Sequence, residues 1–130
     1  MSENFQLEII SPEKTFLKSE VQQVTIPSFE GLMTILKDHI SIVTFLRPGL
    51  IELKKSESLE KFFVEEGTVE FSNNKLLILS ASIIDLKNLN NDLKSKIIQE
   101  TKNQLNKEKV NDKDRYILNH KINTLEEINS

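Results

Sequence analysis

A chain of 130 residues is long enough for one domain with an internal core, or for a small domain carrying an appendage. It has no cysteine, which excludes disulfides and thiolate metal sites, and its two histidines, His39 and His120, stand too far apart to begin a metal site. The formal charge of −3 is too mild for a nucleic-acid binder, no stretch approaches the roughly 18 apolar residues that span a membrane, and Met1-Ser2-Glu3-Asn4 does not open a secretory leader, so a soluble intracellular protein is expected.

All three glycines (Gly31, Gly49, Gly67) and all three prolines (Pro12, Pro27, Pro48) fall before residue 68. Such residues punctuate short strands and are kept out of long helices, so a β half followed by a helical half is predicted. Phe5, Leu7 and Ile9 alternate with Gln6 and Glu8, the period of a half-buried strand. Val21, Val24 and Ile26 make the next apolar set, with a stop expected at Pro27. Arg47-Pro48-Gly49 leads into Leu50-Ile51-Glu52-Leu53, and Pro-Gly suits the central positions of a type II turn. Phe62-Phe63-Val64 and Val69-Glu70-Phe71 flank Gly67 and, with their phenylalanines, are read as sandwich core. Asn73-Asn74 separates Thr68–Ser72 from Lys75–Ser80, and Asn tolerates the positive φ of a tight hairpin. Short strands with a turn signal between each pair predict an antiparallel β-sandwich or flattened barrel over residues 1–86.

Beyond that point the period changes. Leu89, Leu93, Ile97, Thr101 and Leu105 recur at every fourth position and make one helix face. Lys109-Val110-Asn111-Asp112 breaks the pattern, with Asn111 or Asp112 as the cap of a new helix. Leu118, Ile122 and Leu125 form a second stripe, with Tyr116, Ile117 and Ile128 beside it. Two helices of about 16–20 residues on a short link make an antiparallel hairpin over residues 87–130 and an α+β chain as a whole. Each stripe needs a cover, which either the β domain or a partner can supply. Charge divides at the same boundary. Residues 1–86 hold 8 basic and 13 acidic side chains, a net of −5, and residues 87–130 hold 9 and 7, a net of +2. A mildly basic arm can seek an acidic partner, or its lysines can simply keep the helices soluble.

The chemistry of a catalytic centre is missing. There is no Gly-rich run ending in Gly-Lys-Ser/Thr, no closely spaced glycines for a dinucleotide and no nucleophile elbow. His39 lies in Leu36-Lys37-Asp38-His39-Ile40, a loop or strand edge, and its neighbour Asp38 points away from it in extended backbone. A surface or interface role is therefore expected for His39, and a plain surface position for His120. Glu65-Glu66 reads as a solvated hairpin end.

Taken in order, several segments resemble the epsilon subunit family of F-type ATP synthases. Phe5-Gln6-Leu7-Glu8-Ile9-Ile10-Ser11-Pro12-Glu13 resembles the family's opening strand and Ser-Pro-Glu turn. Val21 to Pro27 leads to a Glu-Gly turn, here Glu30-Gly31, and Ile35-Leu36-Lys37-Asp38-His39 is similar to the loop that ends in a histidine. Thr44-Phe45-Leu46-Arg47-Pro48-Gly49, Phe62–Phe71 and Leu77-Ile78-Leu79-Ser80-Ala81 resemble the Pro-Gly turn, the phenylalanine-valine strand and the last strand.

The resemblance implies a non-catalytic rotor subunit, peripheral on the cytoplasmic face of a bacterial inner membrane. Its sandwich would bind the gamma subunit and the ring of c subunits through Glu30, Gly31, Leu32, His39 and Ile40. Its hairpin would extend toward the catalytic alpha and beta subunits and restrain ATP hydrolysis. Lys94, Lys102, Lys107, Lys109, Lys113, Arg115 and Lys121 would then meet acidic groups. Leu32 stands where the family carries an acid toward the c ring. Some members bind regulatory ATP through Leu-Asp-x-x-Arg-Ala. Here that stretch reads Leu89-Asn90-Asn91-Asp92-Leu93-Lys94, without the acid or the arginine, so no cofactor is expected. The alternative is a sandwich-plus-hairpin adaptor of another intracellular complex.

Overall fold

The computed structural model describes residues 4–12, 14–107 and 109–128, the side chains of residues 14–16 excepted. Glu13, the end of the Ser-Pro-Glu turn, lies outside them. Period-two alternation sends Phe5, Leu7 and Ile9 inward along β1 (Phe5–Ser11). The chain continues through β2 (Lys14–Val21), β3 (Gln23–Ser28), β4 (Gly31–Leu36), β5 (Ile42–Leu46), β6 (Gly49–Lys54), β7 (Leu59–Val64), β8 (Gly67–Ser72), β9 (Lys75–Ser80) and β10 (Ile83–Asp85). One sheet runs in the order β10-β7-β6-β3-β5-β8-β9-β1-β2, with β4 added beside β3. It curls where β3 and β5 touch at Ser28 and Leu46 alone, so that its two halves face each other. Val24, Ile26, Ile35, Ile51 and Leu53 from one half meet Leu7, Ile9, Val69, Phe71 and Ile78 from the other in a single buried cluster. Each such side chain contributes about 1.5–3 kcal/mol by leaving water. The predicted sandwich is this curled sheet.

Four expectations are corrected. First, one pairing is parallel. Gln6 to Ile10 of β1 run beside Lys75 to Leu79 of β9 in the same direction. Second, Pro27 does not stop its strand. β6 pairs with β3 only at Gln23 to Thr25 and β5 only at Ser28, so the missing Pro27 N–H breaks no ladder bond on that side. The Pro27 carbonyl instead accepts the Arg47 N–H at 3.0 Å. Third, Gly49 makes no type II turn. Gly31 is the glycine with positive φ, at 125°, and Gly49 already belongs to β6. A Cβ on Gly49 would lie 2.6 Å from the Pro27 Cβ, so close approach of another strand is what requires glycine there. Fourth, Phe62 and Phe63 do not share a core. As successive strand residues they point to opposite faces, Phe62 into the sandwich and Phe63 under the helices.

After a 3-10 turn at Leu86–Asn88, α1 spans Asn91–Leu105 and α2 Asp112–Glu127, 15 and 16 residues. Both starts are capped by asparagine. Asn90 Oδ1 accepts the Leu93 N–H at 2.8 Å, and Asn111 Oδ1 accepts the Asp114 N–H at 2.7 Å. Leu93 and Ile97 of α1 pack inward with Leu89, Leu125 and Ile128 against Phe63. Phe63 lies between Leu50 of β6 and Ile84 of β10 in the ladder, so the hairpin is docked on the outer face of β6, β7 and β10. Thr101, fully buried on α1, satisfies its hydroxyl by donating to the Ile97 carbonyl at 2.7 Å. On α2 the deep positions are Ile117, Ile122 and Leu125, whereas Leu118 is half-buried.

Candidate docking surfaces

The curled sheet has two ends, and the expected interface residues divide between them. The β3–β4 turn holds Glu30, and Ser28 pairs with Gly31 there, whereas Gln23 pairs with Leu36 at the far end. His39 and Ile40 follow Leu36, so β4 separates the two groups by about 20 Å at strand rise. At the near end Gly31 takes φ 125°, and Ser28 Oγ donates to the Gly31 carbonyl at 2.7 Å. Glu30 is exposed and Leu32 is 72% exposed.

At the far end the chain turns through Asp38, a left-handed residue at φ 66°. The Asp38 N–H donates to Asn74 Oδ1 at 2.7 Å, and Asn74 Nδ2 donates to Asp38 Oδ1 at 2.9 Å. Asn73 and Asn74 take φ 50° and 57°, as the hairpin expectation requires. His39 donates its N–H to Leu36 at 3.1 Å and sets its ring edge on Phe71 at 5.9 Å. Its Nδ1 lies 2.7 Å from the Ile40 carbonyl, which only accepts, so Nδ1 carries the proton. Ile40 stands 76% exposed at the tip.

From this loop β5 departs with Val43 and Phe45 facing outward, 74% and 60% exposed. In register, Phe45 neighbours Thr68, Thr68 neighbours Leu79, and Leu79 neighbours Ile10. Leu79 is exposed as well, so Phe45, Leu79 and Ile10 form a row on the outside of the sheet that is apolar but for Thr68 of β8, with the exposed Glu70 opposite Val43. The sequence reading missed this face. Its signal was present in Ile42-Val43-Thr44-Phe45-Leu46, a strand apolar on both alternations, which is the pattern of a strand covered on both sides.

The hairpin meets the near end through α2. Tyr116 stacks on Phe29 at 5.8 Å and donates its hydroxyl to the Phe29 carbonyl at 3.3 Å. His120 sets its ring against Tyr116 at 4.4 Å. Burial, aided by the positive charge of Arg47, holds the His120 imidazole below its ordinary value. Lys121 forms an ion pair with Glu65. Lys94 of α1 donates to the Ile128 carbonyl at 2.8 Å, closing the end of α2. Of the cations expected to reach a partner, Lys94 and Lys121 thus act within the chain, while Lys102, Lys107, Lys109, Lys113 and Arg115 are exposed. The degenerate nucleotide stretch serves the fold too. Leu89 is buried, Asn90 caps α1 and Leu93 packs under it. Among the described residues no group of three or more His, Cys, Asp or Glu could hold a metal ion.

Residues 4–85 match the family described as ATP synthase, Delta/Epsilon chain, beta-sandwich domain. An ATP synthase epsilon chain from Pelagibacter ubique is 41% identical over 130 residues, 99% of this chain and all of that one. One from Allorhizobium ampelinum is 30% identical over 106 residues, 81% of this chain and 78% of its own. In fold, a chain of the Euglena gracilis mitochondrial ATP synthase solved by cryo-EM is similar at a TM-score of 0.78 and 18% identity, covering 97% of this chain and 81% of that one.

Proposed function

The chain belongs to the ATP synthase delta/epsilon family and is a non-catalytic central-stalk subunit of that enzyme, and we propose a division of labour among its surfaces. The outer face of β5, β8 and β9, continued by Ile40, seats the gamma subunit. The Glu30-Gly31-Leu32 turn meets the c ring. The hairpin, once released from the sheet, carries Lys102, Lys107, Lys109, Lys113 and Arg115 to acidic groups of the catalytic alpha and beta subunits and slows ATP hydrolysis. The position is peripheral and close to the membrane. No helix among the described residues is long and apolar enough to cross one. The finer placement, on the cytoplasmic face of a bacterial inner membrane, belongs to the proposal.

The observation that carries this reading is Val43 and Phe45, two large side chains left mostly exposed on a sheet whose hairpin covers a different face. Large apolar side chains left exposed together on one sheet face mark a protein contact. Val43→Asp with Phe45→Asp is expected to leave the fold intact, since both side chains are outside the core, and to abolish co-elution with alpha-beta-gamma heads stripped of their own epsilon. Unaltered co-elution of a folded double variant would move the gamma contact elsewhere.

A further inference from the structure

We infer that Asp38 and Asn74 are positioning residues, a reciprocal clip that holds Ile40 in the direction from which it meets gamma. The inference rests on the reading of the β5 face given above. Two turns far apart in the chain meet at this clip, and each contributes a non-glycine residue in the left-handed region. Asp38 supplies a backbone donor and a side-chain acceptor, and the Asn74 amide supplies the complementary acceptor and donor. The Asn74 carbonyl also accepts the Gln6 N–H at 3.1 Å, so the clip is anchored to β1 as well as to the β8–β9 turn. On the other side of Asp38, His39 is fixed by Leu36, Phe71 and the Ile40 carbonyl.

These bonds are solvent-exposed, and water can satisfy every group in them. Their effect on folding is accordingly small. What they restrict is the direction of the loop tip, where Ile40 is the most exposed of the large apolar side chains among the described residues. A loop held in its bound shape avoids the ordering cost of association, and loss of the hold lowers apparent affinity by the fraction of time the shape is kept.

Asn74→Gly isolates this effect. Glycine keeps the positive φ that the β8–β9 turn needs and deletes both clip bonds. The full-length variant should melt with the wild type. Its affinity for alpha-beta-gamma heads should fall by roughly 5–10-fold, as for a loop that keeps its bound shape a tenth to a fifth of the time. Asp38→Gly retains the backbone bond to Asn74 and the left-handed geometry but deletes the side-chain bond, so it should lose part of the affinity that Asn74→Gly loses. In an Ile40→Ala background the Asn74→Gly loss should vanish, because the clip acts only through that side chain. Wild-type affinity for Asn74→Gly, or a loss that adds to that of Ile40→Ala, would overturn the inference while leaving the gamma reading in place. If Ile40→Ala binds as tightly as the wild type, the loop tip is no part of the gamma contact and the inference falls, whereas the gamma reading falls only if Val43→Asp with Phe45→Asp still co-elutes.

Discussion

At Gly67 a missing side chain decides the register. A Cβ there would lie 2.2 Å from the carbonyl oxygen of Leu79, a backbone atom of the neighbouring strand that cannot step aside. Gly67→Ala is expected to cost about 1–3 kcal/mol, as overpacking of a tight site does. A fall in the calorimetric midpoint checks it, and an unchanged midpoint would contradict the close pairing of β8 with β9. Residues whose demands are local were legible in the sequence. Asn73-Asn74 announced two positive φ angles, and both are present. Gly49 was not legible, because Pro27, the atom group that forbids its Cβ, belongs to a strand distant in sequence. Asp38 illustrates the same limit. Its left-handed backbone is supported by Asn74, and nothing within the loop itself indicates that partner.

Helix α2 is held to the sheet end by a small number of polar and aromatic contacts, and one of them titrates. His120 lies against Tyr116 of its own helix and faces Arg47 from the β5–β6 turn, beside the Lys121–Glu65 ion pair. Its pKa is lowered from 6.5 by burial first and by Arg47 second. The docked helix therefore prefers the neutral imidazole. Docking is fully supported above pH 6.5 and weakens as pH falls below that value toward the lowered one, because the released helix takes up the proton more readily. The chain has no native cysteine, so a pair of fluorophores can be placed on α2 and β6. The separated population should grow between neutral and mildly acidic pH, and His120→Asn should flatten the change. An equal response in the variant would assign it to another group.

The stripes of both helices were readable from their period, yet the β5 face was read past, since a strand apolar on both sides looks like ordinary core until the sheet shows which side is covered. The parallel β1–β9 pair was likewise hidden, because pairing between the first and last long strands leaves no local trace.

On the scale of the whole molecule, the order of a β part followed by a helical hairpin was plain from the glycines, the prolines and the change of period. The state of the hairpin was not, because its stripes can be covered by the sheet or by a partner. In this structure Phe63 and Leu50 cover them, Tyr116 fastens α2 to Phe29, and the exposed basic residues remain available. The length of β4 also separates Glu30 from His39, so the two proposed contacts lie at opposite ends of the sheet.

The most direct measurement uses alpha-beta-gamma heads from the same organism, lacking their own epsilon, and follows co-elution and ATPase rate. The full chain is compared with one whose hairpin is fastened shut by a short reducible cross-link between cysteines placed at Phe29 and Tyr116. Both forms should co-elute, the unlocked form alone should slow hydrolysis, and reduction of the cross-link should restore inhibition to the locked form. Failure of either form to bind, or equal inhibition by the locked hairpin, would contradict the account.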